Sequence, residues 1–131
     1  MLNIFQCLEN KKGKQIPFEY KIKNNLPLNE SDLYVNGDLN LFKSNITYLP
    51  DNLKVDGYLD LFQSKIRYLP NNLTINGNLD MSYTEITSLP DNLIVNGWLY
   101  CYNTPLVYNI KKDWLLHEKY LKQFKGKIQY A

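Results

Sequence analysis

The sequence predicts a short solenoid: stacked coils that lay down a short curved parallel β-sheet, joined by turn-rich return segments, with an N-terminal β cap and a C-terminal helical cap. Three observations carry this. Gly37, Gly57, Gly77 and Gly97 stand twenty residues apart, and Pro50, Pro70 and Pro90 form a second column at the same period. Six apolar columns hold fixed offsets between them, and neither an amphipathic helix nor an ordinary hairpin repeats at that length. Those columns are Leu39/Leu59/Leu79/Leu99, Leu41/Leu61/Met81/Cys101, Ile46/Ile66/Ile86/Leu106, Leu49/Leu69/Leu89, Leu33/Leu53/Leu73/Leu93 and Val35/Val55/Ile75/Val95. They are read as the inside of a coil.

Residues 1–25 are expected to form the first cap. "KKGK" (11–14) reads as a turn, and "QIPFEYKI" alternates Ile16, Phe18, Tyr20 and Ile22 with Glu19 and Lys21 between, the period-two signature of a half-buried strand. Residues 26–106 hold the coils, with "LPLNESDLYVNG" a partial first repeat stretched by three residues between its proline and its leucine. Each Leu-x-Leu stretch is a short strand with both leucines inward, because side chains alternate across a strand. Ser44, Ser64, Thr84 and Thr104 follow three residues later, where a hydroxyl can bond the backbone as the chain bends. The glycines mark either positive φ or close packing between coils, and the prolines suit an extended return segment. Residues 107–131 form the second cap. Ile110, Trp114, His117, Leu121 and Phe124 lie near helical spacing over 110–124, Gly126 ends that helix, and "KIQY" is a short tail.

Caps are needed because a stack of coils leaves two raw apolar ends. At 131 residues, one compact domain buries enough surface to fold without disulfides or metal. Cys7 and Cys101 cannot build the dense bridge framework of a small secreted domain, so a reducing, cytoplasmic setting is expected. The first residues have no basic leader region, and no run of about 18 apolar residues occurs, so neither export nor a membrane span is predicted. The net charge of +2 is partitioned: the ends are lysine-rich, while residues 26–105 carry three Lys and one Arg against nine acids. Solvated lysine-rich ends explain that pattern; so does a partner of complementary potential.

Residues that point outward from the strands are free of packing constraint, so a binding function would be written there. Before the first leucine stand Asp38, Tyr58, Asn78 and Trp98; between the leucines Asn40, Asp60, Asp80 and Tyr100; after them Phe42, Phe62, Ser82 and Tyr102, with Lys43 and Tyr83 just beyond. Contiguous exposed rings on neighbouring strands make a patch of the kind that marks a protein interface, and Tyr and Trp are common hot-spot anchors. The predicted partner-binding residues are Tyr58, Asp60, Phe62, Asp80, Tyr83, Trp98, Tyr100 and Tyr102. Aromatic pairs across strands also stabilise a sheet, each by roughly 0.2–1 kcal/mol.

The unit L-x-L-x-x-(S/T)-x-I-x-x-L-P-x-N-L-x-(V/I)-x-G, spanning residues 33–106, resembles the leucine-rich repeat in the short, twenty-residue form of bacterial and phage proteins. The resemblance implies a leucine-rich-repeat solenoid that binds macromolecules with its strand face and performs no catalysis. Ser or Thr replaces the family's asparagine ladder here, and the few turns make the concave face shallow. Similar repeat-only chains occur in bacteriophages, where small proteins inhibit host defence, anti-CRISPR proteins among them. The expected partner is therefore another protein, such as a CRISPR effector or other defence complex in a bacterial cytoplasm, with self-association open.

Other chemistries fit less well. Asp60 and Asp80 could be imagined as an acid–base pair or as cation ligands, yet like charges on a solvated face are the simpler reading. His117 reads as a packed residue of the second cap, Cys101 as a small core residue, and Cys7 has no assigned role. No phosphate-cradling glycine loop, metal-ligand spacing or nucleophile motif occurs, so no enzyme, cofactor or metal is predicted. The alternative is a single-stranded nucleic-acid (RNA) binder using terminal lysines and tyrosines. Those lysines are Lys11, Lys12, Lys14, Lys21 and Lys23 at one end and Lys111, Lys112, Lys119, Lys122, Lys125 and Lys127 at the other. The acids on the tyrosine face disfavour it.

Overall fold

The computed structural model describes residues 16–130. Within them, nearly every strand pairs with the segment twenty residues further on, and the result is a parallel β-solenoid of about three turns. Short strands β1 (Tyr34–Val35), β2 (Leu39–Asn40), β3 (Lys54–Val55), β4 (Leu59–Asp60), β5 (Thr74–Ile75), β6 (Leu79–Asp80), β7 (Ile94–Val95) and β8 (Leu99–Tyr100) fall into two sheets. The first has the order β2-β4-β6-β8, and the second β1-β3-β5-β7. Register is strict: Leu39 faces Leu59, which faces Leu79, which faces Leu99.

The coil interior is the set of apolar columns. Leu41, Leu59, Leu61, Ile66, Leu73, Ile75, Leu79, Met81, Ile86, Leu99, Cys101 and Leu106 have no measurable exposure. In the first sheet the ladder outruns the two-residue strands: Leu39, Leu41 and Lys43 donate to the carbonyls of Tyr58, Asp60 and Phe62, each at 2.8 Å.

The second sheet corrects the expectation of turns alone on the return side. Once the coils are in register, Val35, Val55 and Ile75 stack, and Asn76 and Asn96 donate across to the carbonyls of Val55 and Ile75. β-Branched residues fit that pleated, half-buried position. The prolines and the asparagine two residues later make the corner before it, with Asn52 and Asn72 at φ 66° and 58°, a conformation asparagine tolerates better than most residues.

The glycine column is chiefly a packing device. A Cβ on Gly77 would lie 2.8 Å from the carbonyl carbon and oxygen of Gly57, and one on Gly97 2.7 Å from those of Gly77. Their backbones touch, with N–H···O distances of 2.8, 2.9 and 3.0 Å along Gly37, Gly57, Gly77 and Gly97. Only Gly37 is in positive φ within this column. Thr84 and Thr104 donate to the carbonyls of Met81 and Cys101 as the bend requires. The hydroxyls of Ser44 and Ser64 are buried without a partner; serine lacks the second Cβ substituent that stiffens the threonine rotamer.

Both ends depart from expectation. Residues 18–23 form helix α1 (Phe18–Lys23), not a strand, burying Phe18, Lys21 and Ile22 at helical spacing. The apparent alternation fails because Lys21 sits on the buried side, its ammonium held by Asp32 at 3.0 and 3.2 Å. Asp32 belongs to a short 3₁₀ turn (Glu30–Leu33) closed by a capping box with Asn29. The "KKGK" turn, Cys7, Lys11, Lys12 and Lys14 lie outside the described residues.

At the other end the single helix over 110–124 is two: α2 (Pro105–Lys112) and α3 (Trp114–Gln123). Asp113 breaks them by capping α3, accepting from the backbone of Leu115 and Leu116. The buried stripe of α3 is thereby re-phased onto Tyr120, followed by Phe124, and Trp114 is 70 % exposed. Tyr120 accepts from the backbone N–H of Leu89, and Gln123 donates to the carbonyls of Pro90 and Leu93, tying α3 to the last coil. Gly126, at φ 79°, then turns the tail into β9 (Ile128–Gln129), which pairs with β8 as a fifth strand.

Gly77→Ala should lower the unfolding free energy by about 1–3 kcal/mol, because the added methyl is forced against backbone that cannot yield. Urea unfolding followed by circular dichroism reads this. An unchanged midpoint would mean the coils do not touch there.

Candidate binding face

The outward side of the first sheet is built by the same register that fills the core. Asn40, Asp60, Asp80 and Tyr100 stand directly opposite one another on neighbouring strands, and Gln129 of the tail continues the row. Asn40, Asp60 and Asp80 do one local job. Each side-chain oxygen accepts the backbone N–H two residues on, from Phe42 at 3.0 Å, Phe62 at 3.0 Å and Ser82 at 2.9 Å. Tyr100 offers no such acceptor, and the N–H of Tyr102 turns back to Ser82 Oγ in the preceding coil.

In the preceding column acceptor and ring alternate. Asp38 accepts the N–H of Tyr58 at 2.9 Å, and Asn78 that of Trp98 at 2.8 Å. Each acceptor side chain thus secures the backbone beneath the next coil's ring. Tyr58 and Trp98 are 45 % and 37 % exposed, with Asn78 between them. They share a column but are separated by a coil.

The remaining rings form two groups. Phe42 stacks on Phe62 with centroids 5.4 Å apart, and Tyr83 tilts against Phe62 at 5.1 Å. Tyr100 and Tyr102 stack at 6.4 Å, and the Tyr102 hydroxyl donates to Gln129. Of the eight predicted residues, Asp60 and Asp80 are therefore neighbours, Phe62 and Tyr83 touch, and Tyr100 and Tyr102 touch. Tyr83 stands at the margin, in positive φ at 59°, a column it shares with Lys43, Gln63 and Asn103. Ser82 is buried and adds no exposed surface. Sequence reasoning missed Gln129 as part of the face: "KIQY" carries a period-two signal too short to read as a strand.

Electrostatics single out Asp60. Partial burial is the larger cause raising its pKa, the backbone hydrogen bond from Phe62 opposes it, and the carboxylate of Asp80 raises it further. Burial, with the charge of Asp80 second, pushes the Cys101 thiol up to about 12, so it stays a protonated core group. His117, on α3, stacks on Trp114 at 5.6 Å and its Nδ1 is hydrogen-bonded to the Tyr130 hydroxyl. Among the described residues, no group of three or more His, Cys, Asp or Glu could hold a metal ion. No helix among them is long and apolar enough to cross a membrane. Compared with known proteins, the chain matches no family model, no curated sequence and no solved structure.

A raised carboxyl pKa in the folded state means the folded protein takes up a proton before the unfolded chain does. The unfavourable charge of Asp60 is therefore fully present at neutral pH and relieved as pH falls through its folded pKa. Asp60→Asn keeps the acceptor for Phe62 and removes the repulsion. It should stabilise the protein at pH 7 by about 0.2–1 kcal/mol, with the gain shrinking toward acidic pH. Denaturant titrations across that range measure it, and a loss of stability at pH 7 would contradict the assignment.

Proposed function

We propose that the chain is a non-enzymatic binding module of leucine-rich-repeat type that masks or inhibits another protein with the outward face of its first sheet. The observation that carries this is the pair Asp60 and Asp80. Asn40 makes the same turn hydrogen bond at the same length without a charge, so the turn does not require a carboxylate, and at Asp60 burial and the neighbouring Asp80 both oppose the charge. A sheet that tolerates stacked like charges beside exposed rings has the composition of a face that meets a basic surface carrying an apolar knob.

The second support is area. Trp98, Tyr100 and Tyr102 share one coil, with Tyr58 two coils away, Trp98 and Tyr58 exposed and the other two half-buried, and amphipathic rings with few rotatable bonds lose little entropy on binding. The similarity in size and style to phage-encoded inhibitors names the partner to try first. It is a host defence nuclease of the CRISPR effector kind, whose nucleic-acid channel is basic. The cell compartment proposed is accordingly the bacterial cytoplasm.

Affinity for a partner isolated by pull-down from a bacterial host should fall by about 2 kcal/mol or more on Trp98→Ala or Tyr100→Ala. Titration calorimetry with the purified pair is the measurement. Binding that survives both substitutions would place the contact elsewhere.

A further inference from the structure

The acidic middle of the chain has four cations, and the fold gathers three of them. Lys43, Lys65 and Arg67 line one open cleft of about 930 Å³ with Gln63, Tyr83 and a single acid, Glu85. A second hollow of about 580 Å³ adjoins it through Lys43 and Thr47, and carries Phe42 and Tyr48 on its wall. Lys23 also lines that hollow, but Glu19 pairs with it at 2.9 Å. No carboxylate lies within ion-pairing distance of Lys43, Lys65 or Arg67 among the described residues. Lys43 instead rests over the Phe42 ring at 5.1 Å. The cleft runs along the loop margin of the coils, beside the row Phe42, Phe62 and Tyr83 and off the acidic sheet face.

We infer that this margin is a second binding site, for a short stretch of single-stranded nucleic acid. The lining supplies the reason. The two hollows set rings among cations, Phe42 under Lys43 in one and Tyr83 with Lys65 and Arg67 in the other, and a polynucleotide repeats one plane and one charge per unit. Acidic peptides carry charge on flexible stems without a plane at every step, and match that pattern less well. Tyr83, 50 % exposed at the end of the row, is the ring left open for a base. Arg67 and the lysines take phosphate oxygens, and three cations beside one acid limit the site to a few nucleotides.

This site differs from the terminal lysines expected to serve the RNA-binding alternative, and it does not depend on the protein-binding reading. Anisotropy of a labelled short oligouridine, titrated with the full chain at a series of salt concentrations, tests it. The wild type should bind at low salt. Lys65→Ala/Arg67→Ala should weaken binding about tenfold and flatten the slope of log K against log salt by about 1.4. Tyr83→Ala should weaken it about tenfold with the slope unchanged. Trp98→Ala should leave it intact, which keeps this outcome separate from that of the protein-binding face. Absence of wild-type binding overturns the inference. So does loss on Lys111→Ala/Lys112→Ala with none on the cleft pair, or equally good competition by a Glu/Tyr peptide of the same charge. Circular dichroism of each exposed-site variant checks that the coils persist.

Discussion

Backbone contact at the glycine column sets the spacing that everything else obeys. The Cβ positions of Gly57, Gly77 and Gly97 would fall 2.7–2.8 Å from the preceding glycine's carbonyl carbon, inside the distance any side chain can accept. With no side chain there, each coil lies directly on the last and the N–H···O bonds close. From that contact follows the strict twenty-residue register, and from the register follow the filled core and the ordered outer columns. Stability of such a stack is a sum over neighbouring coils, so each contact holds a whole interface.

Strict register makes every side chain face its own kind, and the sign of that self-interaction depends on chemistry. Asparagine gains, because an amide both donates and accepts. Asn72 bonds Asn52 and Asn92 bonds Asn72, each at 2.9 Å, while Asn76 bonds Asp56 and Asn96 bonds Asn76. Side-chain amides thus form two hydrogen-bonded rows on the return side. Aspartate loses, because two carboxylates can only repel. The two acids on the outward face of the first sheet are therefore the informative residues, since the fold has a neutral substitute in Asn40.

Charge is distributed over the coil with a boundary. The outward sheet holds Asp60 and Asp80, the loop margin holds Lys43, Lys65 and Arg67, and the ring row from Phe42 to Tyr83 runs between them. A surface of both signs separated by aromatic rings can steer two chemically different ligands without either field cancelling the other at contact range.

The coil interior, the inward leucines and most of the outward columns were legible in the sequence, because a repeat states its register and strand alternation states its faces. The glycine column, by contrast, was open between positive φ and close packing, and Ser82 is buried in a column expected to face outward. The second sheet was not legible, since two residues per strand carry no periodicity and the ladder forms only when a neighbour arrives. Helix α1 was hidden by Lys21, whose burial depends on Asp32 eleven residues away. Tyr120 and Gln123 were missed because Asp113 re-phases the helix, and the backbone they bond lies some thirty residues upstream. Local pattern determined what each coil buries and shows. Only the tertiary structure decided which distant groups meet, from the tail as a fifth strand to the three cations in one cleft, because those meetings depend on coil stacking and not on neighbours in the chain.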